Sequence, residues 1–171
     1  LKTFRSEKFG VSFEYYDQGN PRIREEGNKI YVWADPYNAA DNGFDPKTSE
    51  YIEVFDKPRN EDFKKTIERQ ILNGYSLEKC KVVMGDVHNS VEDANIIYAG
   101  INDTTRKFAD DPFVCPEAYS RTDGFTSFLF DSRYPEKFLF VYGGQGGVLR
   151  APSKDSMYPI DGSWYRTIKI T

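Results

Sequence analysis

The glycine-rich segment YGGQGGVLR, from Tyr142 to Arg150, is the stretch of this 171-residue chain that looks most like a ligand-binding loop. A phosphate-binding P-loop needs a Lys and a Ser or Thr at fixed offsets, and this segment has neither. A dinucleotide-binding loop must open a helix, but Pro152 prevents a long helix here. We therefore predict a turn or bulge that leaves a strand and binds no nucleotide. The backbone N–H groups near Arg150 and Lys154 could still hold a small anion.

Cysteine and histidine are scarce, since the chain has two Cys and one His. A zinc site needs about four ligands, so this set predicts no metal centre. Cys80 and Cys115 could form a disulfide in an oxidising compartment, or they could be two buried free thiols. A catalytic cysteine or a Ser-His-Asp triad would depend on His88 alone, so we predict no catalytic residue of either kind.

Carboxylates are plentiful in the predicted loops. They include Asp35, Asp41, Asp45, Asp110 and Asp111. The segment NAADNGFDPKTSE resembles a calcium loop, but aligning Gly43 with the sixth EF-hand position puts Ala40 at the third and Ser49 at the twelfth. A looser calcium site and a pair of hydrolytic carboxylates remain open alternatives, because sequence alone cannot pair the side chains.

Aromatic and arginine residues are concentrated between Tyr119 and Tyr142. The phenylalanines of this region are typical of a sheet core. Tyrosine and arginine keep polar tips that favour water, and they are enriched at protein-binding hot spots. We therefore predict a binding surface that contains Arg121, Arg133, Tyr134 and Tyr142.

Composition limits the class of protein. The net charge of -4 argues against a nucleic-acid binder, because such proteins are normally basic. No apolar run approaches the roughly 20 residues of a membrane-spanning helix. The aromatic share of 16% favours strands. The length fits one domain over residues 1–171, and a chain that begins at Leu1 suggests a processed or trimmed product.

Period-two alternation is the main structural signal. Phe9, Val11, Phe13 and Tyr15 predict a strand with one buried face, and Phe4 is expected on a short partner strand across a turn at residues 6–8. Further strands are predicted at residues 30–33, 51–55, 79–87, 95–101, 125–131, 137–143 and 164–170. The turn-rich segment 17–28 is predicted to connect strands. The runs that begin at Phe9, Ile30, Tyr51, Lys81, Ile96, Phe125 and Phe138 are expected to form one mainly antiparallel sheet.

One strong helix is predicted over residues 60–73. Asn60 is a suitable N-cap, Glu61 and Asp62 suit the first turn, and Gly74 suits the end. An apolar stripe recurs every four residues, at Phe63, Ile67 and Ile71. A second helix is expected within residues 101–120. These elements predict an α+β fold, an antiparallel sheet of about seven strands with helices packed on it.

The segment FRSEKFGVSFEYY resembles the opening of PsbP-like domains, which include extrinsic proteins of photosystem II and related prokaryotic surface lipoproteins. Residues 9–15 fit the family's aromatic-Gly-x-Ser-Phe pattern, while Tyr16 stands where that family has proline. The order of a strand (51–55) before a helix (60–73) also fits. The resemblance implies an α/β/α sandwich, an extracytoplasmic location and no catalytic residues.

Our interpretation is a non-catalytic extracytoplasmic binding or accessory domain from a secreted or membrane-tethered protein. It is expected to be a monomer without a cofactor and to bind a protein or another cell-envelope component, and not nucleic acid. The alternatives are a cell-envelope hydrolase that uses loop carboxylates and a small-ligand carrier with an aromatic-lined cleft. A cleft lined by two or more ionisable groups is the feature that bears most on this choice.

Overall fold

The computed structural model describes residues 2–15, 21–34, 50–85, 93–121, 125–143 and 167–171. The predictions about the calcium-like loop, His88, Arg150 and Lys154 lie outside these residues, as does nearly all of the glycine-rich segment. Backbone contacts divide the chain into two compact units. Unit 1 comprises Leu1–Val54 with Val141–Thr171, and unit 2 is Phe55–Phe140. A single domain over residues 1–171 stays a prediction.

Ten strands and two helices occur within the described residues. The strands are β1 (Lys2–Ser6), β2 (Val11–Tyr15), β3 (Pro21–Glu26), β4 (Lys29–Ala34), β5 (Glu50–Asp56), β6 (Cys80–Met84), β7 (Ile96–Asp103), β8 (Phe125–Asp131), β9 (Lys137–Gly143) and β10 (Lys169–Ile170). The helices are α1 (Phe63–Gln70) and α2 (Glu117–Ser120). One sheet has three strands in the order β1-β2-β10, and the other has seven in the order β3-β4-β5-β9-β8-β7-β6.

The expected antiparallel sheet of seven strands is confirmed, but the expectation of one sheet that includes the Phe9 run is wrong. Strand β2 belongs to the three-stranded sheet. The seventh strand of the larger sheet is β3, which was not among the predicted strands. The segment of β3 was predicted to be turns, because PRIREE has a single large apolar residue, Ile23, among charged ones. Strand β3 lies at a sheet edge, where charged side chains can remain in water.

The three-stranded sheet follows the predicted hairpin of β1 and β2. Phe4 lies opposite Phe13, with 5.2 Å between ring centroids. The connecting turn needs Gly10, whose φ of 60° is unfavourable for other residues. Its N–H donates to the carbonyl of Ser6. Phe13 and Ile170 lie on the buried face, so alternate residues of all three strands are left on the opposite face.

Helix α1 begins later than predicted because Asp62, not Asn60, is the N-cap. The Asp62 carboxylate accepts from the backbone N–H of Lys65 at 3.2 Å. Glu61 therefore precedes the helix, and it forms a 2.8 Å ion pair with Arg69. The apolar stripe is confirmed, since its three side chains are all buried: Phe63, Ile67 and Ile71. Helix α2 fulfils the expectation of a second helix within residues 101–120.

Aromatic rings fill the core of unit 2. The ring centroids of Phe63 in α1 and Phe130 in β8 are 5.2 Å apart, and those of Tyr119 in α2 and Phe140 in β9 are 4.8 Å apart. Phe128, Phe130, Phe138 and Phe140 are buried, as expected for a sheet core. Layering of helices on both faces, as in a PsbP-like α/β/α sandwich, stays a prediction. Among the described residues, neither helix is long and apolar enough to cross a membrane.

Candidate ligand-binding cleft

Arg133 lies at the tip of the β8–β9 hairpin, where aspartates hold it. Its Nε and Nη2 donate to the two carboxylate oxygens of Asp131 at 2.9 and 2.7 Å, and Nη2 also donates to Asp93 at 3.0 Å. The hydrogen bonds and charge of Asp131, together with Asp93, raise the pKa of Arg133 further above its ordinary value. Most of the donors of Arg133 are therefore used within unit 2, and its main role is to fix the hairpin tip.

The other three predicted binding residues differ in their exposure. Tyr134, the next residue along the hairpin, is 37% exposed. Arg121 is half-buried after α2. Tyr142 is buried in unit 1, with its ring 5.5 Å from that of Tyr51. The expectation that Tyr142 reaches water is wrong, because its side chain is packed in the core of this unit.

Cys80 and Cys115 form a disulfide within unit 2, with 5.6 Å between their Cα atoms. Asp103, which lies opposite Cys80 in the β6–β7 register, holds the same segment. Its carboxylate accepts hydrogen bonds from the N–H groups of Val114 and Cys115 at 2.8 and 3.0 Å. Sequence analysis missed this residue, although Asp followed by Thr105 is a pattern that favours local side-chain bonds. In the described part of the chain, His, Cys, Asp and Glu form no group suited to a metal ion.

A cleft of about 460 Å³ lies on the polar face of the three-stranded sheet, within unit 1. We call it the sheet cleft. Its floor consists of alternate residues on β1, on β2 and on or beside β10. These are Thr3, Arg5, Ser12, Glu14, Thr167 and Lys169. The buried residues Val11 and Phe13 also line the cleft. Because side chains alternate between the two faces of a strand, the pairing of the three strands brings these polar side chains together.

The register arranges the floor of the sheet cleft in two rows. Arg5 and Lys169 each lie opposite Ser12, so this row has a cation on either side of a hydroxyl. In the second row, Thr3 lies opposite Glu14, whose backbone N–H donates to the Thr167 hydroxyl at 3.2 Å. The first row therefore offers hydrogen-bond donors, and the second adds a carboxylate.

Among the described residues, the two cations of the sheet cleft have no ionic partner. Neither Arg5 nor Lys169 forms an ion pair with any described residue, although Glu7 and Glu14 line the same cleft. Both cations are exposed. Their donors are consequently available to an anionic ligand.

Sequence analysis identified the strand that carries Ser12 but not the site. The polar residues of β2 were interpreted only as the solvent-exposed positions of an alternating strand. Arg5 and Lys169 come from opposite ends of the chain, and nothing in local sequence indicates that both lie beside Ser12. A charged residue at an outward position of each outer strand was the available signal.

Comparisons with protein-family models, with curated proteins and with solved structures give no match. The PsbP-like resemblance and the extracytoplasmic location therefore stay predictions.

Proposed function

We propose that the chain is a non-catalytic extracytoplasmic binding domain that holds a small ligand, or a small group of a cell-envelope component, in the sheet cleft. The observation that carries this proposal is the row in which Arg5 and Lys169 flank Ser12 and form no ion pair with any residue that the structure describes. A volume of about 460 Å³ lies in the range of small-molecule sites. The charged and hydroxyl side chains of the cleft favour a polar ligand over the apolar cargo of an aromatic-lined carrier.

The chemistry of the cleft supports binding without turnover. Its described lining includes no histidine and no cysteine. The hydroxyls of Ser12 and Thr3 make no hydrogen bond to a carboxylate of the described residues, so neither is arranged as an activated nucleophile. Exposed cations, in contrast, can bind an anion without any further group.

The extracytoplasmic part of the proposal is supported by the disulfide between Cys80 and Cys115. Disulfides persist mainly in oxidising environments such as secreted or cell-surface locations. The bond is compatible with such a location.

A hydrolase is the second candidate, and one observation favours it. Glu7 and Glu14 both line the sheet cleft, and a pair of carboxylates is the minimum equipment for acid–base hydrolysis. The two candidates differ in whether a bound compound is consumed. They also differ in the expected effect of Glu14→Gln. In a hydrolase this substitution should abolish hydrolysis, whereas in a binding domain it should leave anion binding at the first row intact.

The test uses a variant that fills the cleft. Ser12→Tyr places a large side chain, which strands tolerate well, on the polar face between Arg5 and Lys169. Lys81→Tyr is the matched control, since it introduces the same side chain at an exposed strand position in unit 2. Thermal-shift screening of anionic, zwitterionic and neutral compounds would identify ligands, titration calorimetry would measure their affinity, and mass spectrometry would show whether they are consumed.

We expect at least one polar compound to bind wild type and Lys81→Tyr equally, to lose its affinity for Ser12→Tyr, and to be recovered unchanged. Binding that is insensitive to Ser12→Tyr would remove the sheet cleft from the proposal. Turnover that disappears in Glu14→Gln would establish the hydrolase instead.

A further inference from the structure

Arg5, Ser12 and Lys169 share one row on one face of three neighbouring strands. Because adjacent strands lie about 4.8 Å apart, the Cα atoms of Arg5 and Lys169 are separated by about 10 Å. Both side chains are long enough to extend over the strand between them. Their charged ends can therefore meet above the Ser12 hydroxyl.

We infer that this row binds a phosphate group of a small ligand, an inference that rests on the proposed function of the sheet cleft. A guanidinium presents a planar fork of donors, an ammonium presents three, and a hydroxyl presents one. Three donors that approach from three strands suit a group with several acceptor oxygens pointing in different directions. A phosphate is such a group, whereas a carboxylate has two oxygens in one plane.

The charges of the cleft support an anion at this position. Two cations on the same face repel each other, and an anion between them removes that repulsion. Glu14 lies in the adjacent row and does not neutralise either cation through an ion pair. Glu7 also lines the cleft but lies in neither row and forms no ion pair with a described residue, so the first row presents positive charge alone.

The second row restricts the remainder of the ligand. The sheet cleft is much larger than a phosphate ion, so a bound phosphate leaves space above Thr3 and Glu14. A carboxylate accepts hydrogen bonds, and a threonine hydroxyl both donates and accepts them. The ligand class is therefore a phosphate monoester whose organic part carries hydroxyl or ammonium groups.

Both a soluble phosphate ester and a lipid headgroup carry this chemistry, and two arms of one test separate them. The soluble arm is a titration with glycerol 3-phosphate, with acetate as the anion of different shape. The lipid arm is co-sedimentation with vesicles of phosphatidylcholine that contain phosphatidic acid. Each arm compares wild type with Arg5→Gln, with Lys169→Gln and with the control Arg59→Gln. Arg59 is an exposed arginine of unit 2 that lies 3.7 Å from Glu136.

We expect each cleft substitution to weaken phosphate binding about tenfold, because each removes a charge-assisted hydrogen bond. Arg59→Gln should leave the affinity unchanged, and acetate should bind much more weakly. Circular dichroism should show intact folding, since Arg5 and Lys169 are exposed. Binding in the vesicle arm alone, with the same pattern among the variants, would assign the phosphate to a lipid.

The inference is overturned if neither arm shows binding, if acetate binds as tightly as the phosphate ester, or if Arg5→Gln and Lys169→Gln bind as wild type does. These failures are distinguishable from failure of the proposed function. If a compound without phosphate binds wild type but not Ser12→Tyr, the proposed function stands and only the phosphate inference fails.

Discussion

The side chain of Asp103, at the end of β7, is 6% exposed and forms hydrogen bonds with the segment that follows this strand, residues 104–115. Its carboxylate accepts the N–H and hydroxyl of Thr105, at 3.1 and 2.6 Å, and the N–H groups of Val114 and Cys115. Asp103→Asn preserves the shape of the side chain but replaces one acceptor oxygen with a donor. The N–H or hydroxyl donors that face the new side-chain NH₂ group therefore lose their acceptor.

The expected loss of stability follows from these contacts. A buried donor without a partner costs about 1–3 kcal/mol, and exposed donors cost less because water replaces the acceptor. The N–H of Cys115 is buried, whereas Val114 and Thr105 are exposed. We therefore expect Asp103→Asn to lower the free energy of unfolding by about 2–3 kcal/mol at pH 7.

The same contacts give the pH dependence its sign. Burial alone would raise the pKa of Asp103, but the hydrogen bonds from Thr105, Cys115 and Val114 outweigh it and lower the pKa. A carboxyl with a lowered pKa in the folded state stabilises fully above its unfolded pKa of about 3.9. That contribution is lost as the pH falls through the lower folded pKa. The difference between wild type and Asp103→Asn should therefore shrink below about pH 4.

Urea unfolding of both proteins at pH 7, 5 and 3, with the disulfide intact, measures this difference. Asp110→Asn is the control, because Asp110 is an exposed carboxylate in the same segment. It should change stability by less than about 0.5 kcal/mol. If Asp103→Asn unfolds as wild type does, or if the difference grows as the pH falls, the Asp103 contacts do not hold the segment.

The remaining predictions concern the core, the disulfide and α1. Ile67→Ala should cost about 2–5 kcal/mol in urea unfolding, because Ile67 is fully buried, and a cost below 1 kcal/mol would contradict the packing of α1. Reduction of the Cys80–Cys115 bond should cost about 4 kcal/mol for a separation of 35 residues, and thiol titration of the unreduced, unfolded protein should detect no free thiol. The hydrogen bond from Arg69 lowers the pKa of Glu61 to about 2. Glu61→Gln should therefore lower Tm at pH 7, and the difference should vanish as the pH falls towards about 2; a constant difference would refute the pairing.

The sequence predicted those elements whose signal is local. Alternation in Phe9–Tyr15 was enough to place β2 and its buried face, and the spacing of Phe63, Ile67 and Ile71 was enough to place α1. The division into two sheets could not be predicted, because the alternation of β2 does not indicate which strands pair with it. Strand β3 was missed because pairing of an edge strand needs backbone hydrogen bonds rather than apolar side chains.

The candidate site was less predictable than the fold. Tyr142 and Arg133 were predicted at a binding surface because their polar tips favour water. Tyr142 is buried instead, with its ring against that of Tyr51, and Arg133 donates hydrogen bonds to Asp93 and Asp131. The sheet cleft depends on the pairing of β10 with β2, which brings Lys169 beside Ser12. Pairing between distant segments determines this juxtaposition, and no short-range pattern in the sequence encodes it.

The most direct test of the sheet cleft as the binding site is a two-dimensional amide spectrum of the ¹⁵N-labelled protein during titration with glycerol 3-phosphate. We predict saturable shifts at the amides of Arg5, Ser12 and Lys169, and no comparable shift in Arg5→Gln. The absence of any shift would contradict a soluble phosphate ester at this row, and shifts that cluster at the Arg133–Tyr134 hairpin tip instead would contradict the sheet cleft as the binding site.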